Sequence, residues 1–138
     1  MCGFVGEISL STPVDYQSLY RMNNALQHRG PDESGIYLAE NRHWGVAHRR
    51  LCIIDPEGGR QPMRDPERGL TLVLNGEIYD HDRLRRELEA DGFSFRSTSD
   101  TEVVLRLYAR HGLSFTEYLR GEFSFVLIDE PRRQAVFV

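Results

Sequence analysis

The chain begins Met1-Cys2-Gly3-Phe4-Val5-Gly6-Glu7-Ile8, an apolar stretch punctuated by two glycines. Its alternation predicts a β-strand over residues 3–10, with Cys2 at the entrance to that strand. Removal of Met1 would leave a thiol and a free α-amine on the same residue. Because an α-amine titrates at about 7.7–8.0 and a thiol at about 8.5, each is partly in its reactive form near neutral pH. The start of the chain therefore predicts an N-terminal nucleophile with its own base; the alternative is that Cys2 is a small buried hydrophobe.

Composition favours an ordinary water-exposed domain. The 138 residues are 40% hydrophobic and 28% charged, which fits one domain. No apolar run approaches the roughly 18 residues that a membrane span needs, and no secretory signal is visible, so we expect a cytoplasmic protein without a membrane partner. The net charge of -4 argues against nucleic acid. Cys2 and Cys52 are too few for a disulfide framework or a zinc site, and Cys52 is expected in the core.

Strand-like and helix-like segments alternate unevenly along the chain. A helix is expected with Leu19, Met22 and Leu26 on one face, and short strands are expected at 35–39, 44–48 and 51–54. Residues 70–74 form a buried strand that should end in a tight turn at Asn75-Gly76.

The second half of the chain adds three helices and a hairpin. We expect a helix over 81–91 ended by Gly92, and two more helices that begin at capping boxes at Ser99 and Ser114. A hairpin joins residues 123–129 to 134–138. This mixture predicts an α+β layered sandwich. Since the chain stops inside an apolar strand, we expect a domain that is truncated at its C-terminal end.

Six short blocks occur in order along the chain: Cys2-Gly3-Phe4-Val5-Gly6, His28-Arg29-Gly30-Pro31-Asp32, Ala47-His48-Arg49-Arg50-Leu51 with Ile54-Asp55, Gln61-Pro62-Met63, Leu74-Asn75-Gly76-Glu77-Ile78-Tyr79 and Ser99-Asp100-Thr101-Glu102. Together they resemble the N-terminal glutaminase domain of class II glutamine amidotransferases, of the asparagine synthetase type. The resemblance covers residues 2–138. It implies an N-terminal nucleophile hydrolase fold, an αββα sandwich of two antiparallel sheets between helix layers, here incomplete.

The resemblance also implies an activity. Glutamine would be hydrolysed to glutamate and ammonia through a γ-glutamyl thioester on Cys2. The ATP-pyrophosphatase (synthetase) domain of the family is absent from this sequence. ATP and magnesium are therefore expected only with that domain, and no cofactor is expected in this one. The implied partners are glutamine and the missing synthetase domain, while a homodimer is left open.

Roles for individual residues follow from the matched blocks. The resemblance places an oxyanion hole at the side-chain amide of Asn75 and the backbone N–H of Gly76, although Asn-Gly alone more often indicates a hairpin turn. Arg50 and the adjacent Leu51 would bind the carboxylate end of glutamine.

The acidic residues and Arg29 complete the implied site. Glu77 and Asp100 would bind the ammonium group, although an acid in the first turn of a helix is also favourable through the helix dipole with no ligand present. Arg29 would support the nucleophile. His28 and His48 are explained as a helix-end residue and a packing residue, since the α-amine supplies the base.

Two departures from the family pattern accompany these matches. Asp80 stands where the family usually has Asn, and the family's Gly-x-Phe-Ala-Phe block is Gly121-Glu122-Phe123-Ser124-Phe125 here. Neither is expected to touch the glutamine contacts. Two other functions stay open: an inert truncated remnant that serves as an interaction or regulatory module, and a hydrolase of another amide.

Overall fold

Two antiparallel sheets lie face to face between helices in the computed structural model, which describes residues 2–138. The first sheet has the order β1-β3-β2 and the second has the order β4-β5-β6-β7. The strands are β1 (Gly3–Ile8), β2 (Glu33–Leu38), β3 (Trp44–Arg50), β4 (Met63–Asp65), β5 (Leu70–Ile78), β6 (Gly121–Asp129) and β7 (Gln134–Phe137). The helices are α1 (Tyr16–Ala25), α2 (His81–Ala90) and α3 (Asp100–His111), followed by a 3₁₀-helix over Gly112–Tyr118. The predicted α+β sandwich is confirmed.

Alternate residues of β5 enter two separate cores, because successive side chains of a strand point to opposite faces. Leu72 is fully buried in a core that includes residues of α2 and α3, such as Leu88. Its neighbour Val73 packs instead with Trp44 and Val46 of the first sheet. Each such aliphatic side chain contributes about 1.5–3 kcal/mol by leaving water. The same alternation directs the side chains at 75 and 77 towards the first sheet.

The first helix covers the outer face of the first sheet. Asp15 caps it by accepting a hydrogen bond from the Ser18 N–H at 2.8 Å. Of its predicted apolar face, Leu19 is fully buried, whereas Met22 is only half-buried, as is Leu26 just beyond the helix. A Cβ atom at Gly45 of β3 would lie 2.4 Å from Leu19 Cδ1, so the helix and the strand approach closely there.

Two local predictions in the strand regions are wrong. Asn75 and Gly76 do not form a turn but continue β5 to Ile78, because β6 pairs with the whole of that strand. Residues 51–54 form no strand, since β3 ends at Arg50, and Cys52 is half-buried rather than a core residue.

The predicted capping boxes are only partly present. Ser99 does cap α3, accepting a hydrogen bond from the Thr101 N–H at 3.2 Å. Glu102 does not reach back to Ser99; its buried carboxylate accepts the N–H groups of Arg96 and Ser97 in the preceding turn. After α3 the chain forms a 3₁₀-helix, in which the Ser114 hydroxyl donates to the carbonyl of His111 instead of capping a further α-helix.

The remaining elements agree with the predictions. Leu84 and Leu88 are buried in α2, and Gly92 follows that helix with a φ of +89°. The last two strands form the expected hairpin, with Asp129 opposite Gln134. Within residues 2–138, no helix combines the length and the apolar character needed to cross a bilayer. Over the same range, no three His, Cys, Asp or Glu side chains are grouped so that they could hold a metal ion.

Candidate active site

A cavity of about 460 Å³ opens at the end of the sandwich where β1, β3 and β5 come together. Seven of the eight predicted site residues line it: Cys2, Asn75 and Gly76, and the proposed substrate contacts Arg50, Leu51, Glu77 and Asp100. These residues come from both sheets and from the start of α3, and only the tertiary fold brings them together. Arg29 is the one predicted site residue outside the lining.

Cys2, the predicted nucleophile, is held by contacts on both sides. The Leu51 N–H donates to the Cys2 Sγ at 3.4 Å, so a backbone donor is aimed at the atom that would carry negative charge. On the other side, Arg29 Nε donates to the carbonyl of Cys2 at 3.0 Å. The structure therefore places Arg29 directly behind Cys2, and its supporting role stays a prediction.

A glycine lets the loop that carries Arg29 reach this position. A Cβ atom at Gly30 would lie 2.4 Å from the carbonyl carbon of Arg49 in β3. No side chain can occupy that space without moving the strand backbone. Gly30 therefore permits the close approach that brings Arg29 to Cys2.

Gly76 has its backbone N–H on the open edge of β5. In an antiparallel ladder, alternate residues direct their N–H and C=O groups to the same side. Leu74 N–H donates to Gln61 Oε1 at 2.6 Å and Ile78 N–H donates to Asp100 Oδ2 at 2.9 Å, so both point away from β6. Gly76, midway between them, directs its N–H to the same edge, beside the cavity. This is the direction that an oxyanion donor requires.

The side chain of Asn75 lies on the face of β5 that is turned towards the first sheet. Its Oδ1 is buried without a hydrogen-bond partner among the described residues, and the residue lines the cavity. A buried amide with an unused polar atom is costly unless a ligand or water completes it. This Oδ1 is an acceptor and would take a hydrogen bond from such a group, so the role of Asn75 Nδ2 as the second oxyanion donor stays a prediction.

Arg50 is almost completely buried, with 5% of its surface exposed, and its guanidinium organises the next loop. One terminal nitrogen donates to Glu33 at 2.8 Å and to the carbonyl of Pro56 at 3.0 Å. The other donates to the carbonyls of Ile54 and Asp55, both at 2.7 Å. Arg50 thus shapes the cavity wall, and a substrate carboxylate would have to share these nitrogens or use Nε. Its role as a carboxylate contact stays a prediction.

Asp100 lies in the first turn of α3 and is 4% exposed. Its Oδ2 accepts the Ile78 N–H, whereas its Oδ1 has only a long contact of 3.5 Å from the Ser99 hydroxyl. One carboxylate oxygen is therefore almost free at the cavity wall. Glu77 is exposed at the same wall, so both acids are placed where a ligand ammonium group could reach them.

Asp55, for which the sequence predicts no role, connects the loop after β3 to the turn before α3. Its carboxylate accepts the N–H groups of Gly58 at 2.8 Å and of Thr98 at 2.7 Å. These two backbone donors lower the pKa of Asp55 below its usual value. The loop held by Arg50 is thereby tied to the turn before α3. Nothing local in the sequence indicates this contact.

The departure at residues 121–125 does reach the site, which corrects the expectation that it would not. Glu122 and Ser124 line the cavity, because β6 places them directly opposite Glu77 and Asn75 of β5. Two α-helices and a 3₁₀-helix separate these strands in the sequence, so only the long-range pairing reveals the contact. Asp80, the other departure, is the N-cap residue that precedes α2 and does not line the cavity.

Both histidines occupy the structural positions expected of them. His48 is fully buried, and its Nε2 donates to the carbonyl of Leu74 at 2.9 Å. Burial is the main cause that lowers its pKa from 6.5 to about 4, so the ring is neutral at physiological pH. His28 is exposed beyond the end of α1, with its Nδ1 3.1 Å from the carbonyl of Ala25. Neither lines the cavity.

The sandwich of two antiparallel sheets between helices has the fold that the sequence predicts, the fold of the N-terminal nucleophile hydrolases. A solved structure shares this fold: the glutamine phosphoribosylpyrophosphate amidotransferase from B. subtilis complexed with ADP and GMP superposes with a TM-score of 0.74. That match is 22% identical in sequence and covers 94% of this chain and 35% of the other. The chain belongs to the family of glutamine amidotransferase domains, whose family model matches residues 1–138.

Curated relatives place the chain near asparagine synthetases. The glutamine-hydrolyzing asparagine synthetase 1 of Bacillus subtilis is 42% identical over 131 residues, which are 92% of this chain and 20% of that protein. The corresponding enzyme of Brassica oleracea is 40% identical over 94% of this chain and 22% of its own length. A protein of Gibberella zeae named amidase chry2 is 48% identical over 80% of this chain and 16% of its own length. The chain thus spans roughly a fifth of the length of the curated relatives it matches.

Proposed function

We propose that this chain is the glutaminase part of an asparagine synthetase-like amidotransferase. It would hydrolyse glutamine to glutamate and ammonia with Cys2 as the nucleophile. The observation that carries this proposal is that Cys2, the Asn75-Gly76 pair and the acid Asp100 line one and the same cavity. Family membership supports the same chemistry.

In the proposed reaction, the α-amine of Cys2 takes the thiol proton, and the sulfur attacks the side-chain amide carbon of glutamine. The C–N bond of the tetrahedral intermediate breaks, the amine returns the proton to the leaving ammonia, and a γ-glutamyl thioester remains. Water then attacks the thioester, releasing glutamate and restoring the thiol. The amine requires removal of Met1, which lies outside the described residues.

The oxyanion of each tetrahedral intermediate would be bound by Asn75 Nδ2 and the Gly76 N–H. The position of both groups supports this: the Gly76 N–H points to the open edge of β5, and Asn75 lines the same cavity. Preorganised donors of this kind act only as charge develops, and the loss of one typically lowers the rate about 10²- to 10³-fold.

The two ends of the amino acid would be recognised by opposite charges. Asp100 and Glu77 would hold the ammonium group, supported by the nearly free Oδ1 of Asp100. Arg50 and Leu51 would hold the carboxylate, supported by their position in the lining of the same cavity. A substrate that lacks the ammonium group would leave the buried Asp100 uncompensated, whereas Arg50 already has Glu33 as its counter-ion.

The ammonia would serve a synthetase domain. The curated relatives are several times longer than this chain, and two of them are named as glutamine-hydrolyzing asparagine synthetases. We propose that ammonia is used for ATP-dependent amidation of aspartate or another carboxylate. ATP and magnesium would bind to the synthetase domain, and this domain would need only glutamine and water.

The test is the intact mass of the purified protein before and after exposure to a glutamine analogue with a thiol-reactive group, together with an assay of glutamate release. We expect a mass without Met1, one adduct that glutamine suppresses, and no adduct in Cys2→Ala. Cys52→Ala is the matched control, because this second free thiol lies outside the cavity lining and should leave the adduct unchanged. Retention of Met1 without an adduct would support the inert interaction module instead.

A further inference from the structure

The side-chain amide of Gln61 forms hydrogen bonds to β5 like those of a neighbouring strand's backbone. Its Oε1 accepts the N–H of Leu74 at 2.6 Å, and its Nε2 donates to the carbonyl of the same residue at 3.1 Å. Strand β4 pairs with β5 only as far as Met63 opposite Leu72. If this pairing continued, the backbone of Gln61 would lie opposite Leu74 and bond to it. In the structure the side-chain amide of Gln61 forms these hydrogen bonds instead of its backbone.

A second donor reaches the same carbonyl from the first sheet. His48 Nε2 donates to the carbonyl of Leu74 at 2.9 Å. Since a carbonyl oxygen has two lone pairs, Gln61 and His48 together satisfy it fully. The backbone of Leu74 is thus clamped from two directions, at the residue immediately before Asn75.

This clamp has a specific consequence for the edge of β5. Had β4 continued, its backbone would also have paired with Gly76 and covered that N–H. The amide of Gln61 pairs with the backbone of Leu74 alone, so the ladder ends there and the next N–H on the edge stays open. Two residues further along the same edge of β5, the N–H of Ile78 is again covered, because it donates to the carboxylate of Asp100.

We propose that Gln61 is a positioning residue for the oxyanion hole: its amide fixes Leu74 so that the Asn75 amide and the Gly76 N–H stay aligned with the reacting carbon. This inference rests on the proposed glutaminase function. Gln61 acts through the backbone of Leu74 and takes no part in proton transfer. The ends of glutamine are bound elsewhere, so loss of the clamp lowers kcat and leaves KM for glutamine nearly unchanged. Because a displacement of about 1 Å at a catalytic group costs about 10²-fold, we expect a decrease in kcat of roughly 10- to 100-fold.

The test uses two substitutions of different chemistry. Gln61→Met removes both hydrogen bonds to Leu74, and the long contact of 3.5 Å from Nε2 to Thr101 Oγ1, at similar side-chain length. Gln61→Glu keeps an acceptor for the Leu74 N–H but turns a second oxygen towards the Leu74 carbonyl, a contact that becomes favourable only when the carboxyl group is protonated. The ratio of kcat in Gln61→Glu to kcat in the wild type should therefore rise as the pH falls, whereas the corresponding ratio for Gln61→Met stays flat.

The wild type and a second variant, Gln27→Glu, serve as references that account for the other groups that titrate near Gln61. The charged residues that line cavities together with Gln61 are Arg50, Glu77, Asp100 and Glu122 on one side and Glu33 and Arg60 on the other. All of them are present in the wild type, so the ratio removes their shared contribution. Gln27→Glu, at an exposed position after α1, adds the same charge away from the cavity and should leave kcat unchanged. Each kcat is divided by the amount of Cys2 that the glutamine analogue titrates, so loss of folded protein is not counted as loss of rate.

The outcomes separate the two proposals. If the wild type releases no glutamate, the proposed function fails and the role of Gln61 fails with it. If the wild type is active and Gln61→Met retains its kcat, the positioning role is refuted while the function stands. A KM that rises in proportion as kcat falls, or a flat pH ratio for Gln61→Glu, would equally refute positioning and would assign Gln61 to substrate binding or to general stability.

Discussion

Replacement of Gly76 by alanine tests the geometry of the candidate site at its most constrained backbone position. Gly76 has a φ of +133°, a conformation that residues with a side chain rarely adopt. A Cβ atom there would also lie 2.0 Å from the carbonyl oxygen of Glu122 on β6. Contacts below 3.0 Å are essentially never observed, so the two strands would have to separate by about 1 Å.

The expected cost has two parts. Backbone strain contributes about 1–3 kcal/mol, and the forced separation of packed strands contributes about 1–3 kcal/mol more. At about 3 °C for each kcal/mol in a domain of this size, Gly76→Ala should lower Tm by roughly 6–18 °C. Because the same shift moves the N–H that faces the cavity, glutaminase kcat should fall about 10²-fold.

Gly92→Ala is the matched control. Gly92 also has a positive φ, +89°, but nothing lies within 4 Å of its Cβ position. In Gly92→Ala the backbone strain alone should lower the free energy of unfolding, by about 1–3 kcal/mol, and kcat should be unchanged. Thermal unfolding and glutamate release measure both variants. A Gly76→Ala protein with the Tm and the rate of Gly92→Ala would refute the clash and the role assigned to the Gly76 N–H.

Three further outcomes are expected. Arg106→Met should lower the free energy of unfolding by about 3–5 kcal/mol in chemical denaturation, because it leaves two buried carboxylates, Asp65 and Glu102, without their shared cation; a loss below 1 kcal/mol would contradict this. His48 binds a proton more readily when unfolded, since its pKa falls from 6.5 to about 4 on folding, so between these pH values its contribution to stability should decrease by roughly 3 kcal/mol as the pH falls. His48→Gln should flatten that part of the pH dependence, and an unchanged slope would exclude His48 as its source. Arg29→Met removes the donor to the Cys2 carbonyl and should slow alkylation of Cys2 by the glutamine analogue several-fold, with KM unchanged; an unaltered alkylation rate would remove its supporting role.

Locally encoded features were predicted well. The amphipathic pattern that buries Leu84 and Leu88 is complete within one helix, and the Ser99 cap involves only its neighbour Thr101. Local signals failed where a distant segment competes with them. Asn75-Gly76 has the composition of a tight turn, but pairing with β6 and the amide of Gln61 hold it in an extended strand.

The sequence by itself determined the residue types of the site: a cysteine that follows Met1, an Asn-Gly pair after a buried strand, and acids at the start of α3 and after that pair. Only the tertiary structure decided which groups are open and which are occupied. It shows that Arg50 already binds the carbonyls of Ile54 and Asp55, and that Glu122 stands opposite Glu77. The physical reason is that periodicity and capping act between residues a few positions apart, whereas strand pairing and burial join segments that are distant in the chain, according to which surfaces leave water together.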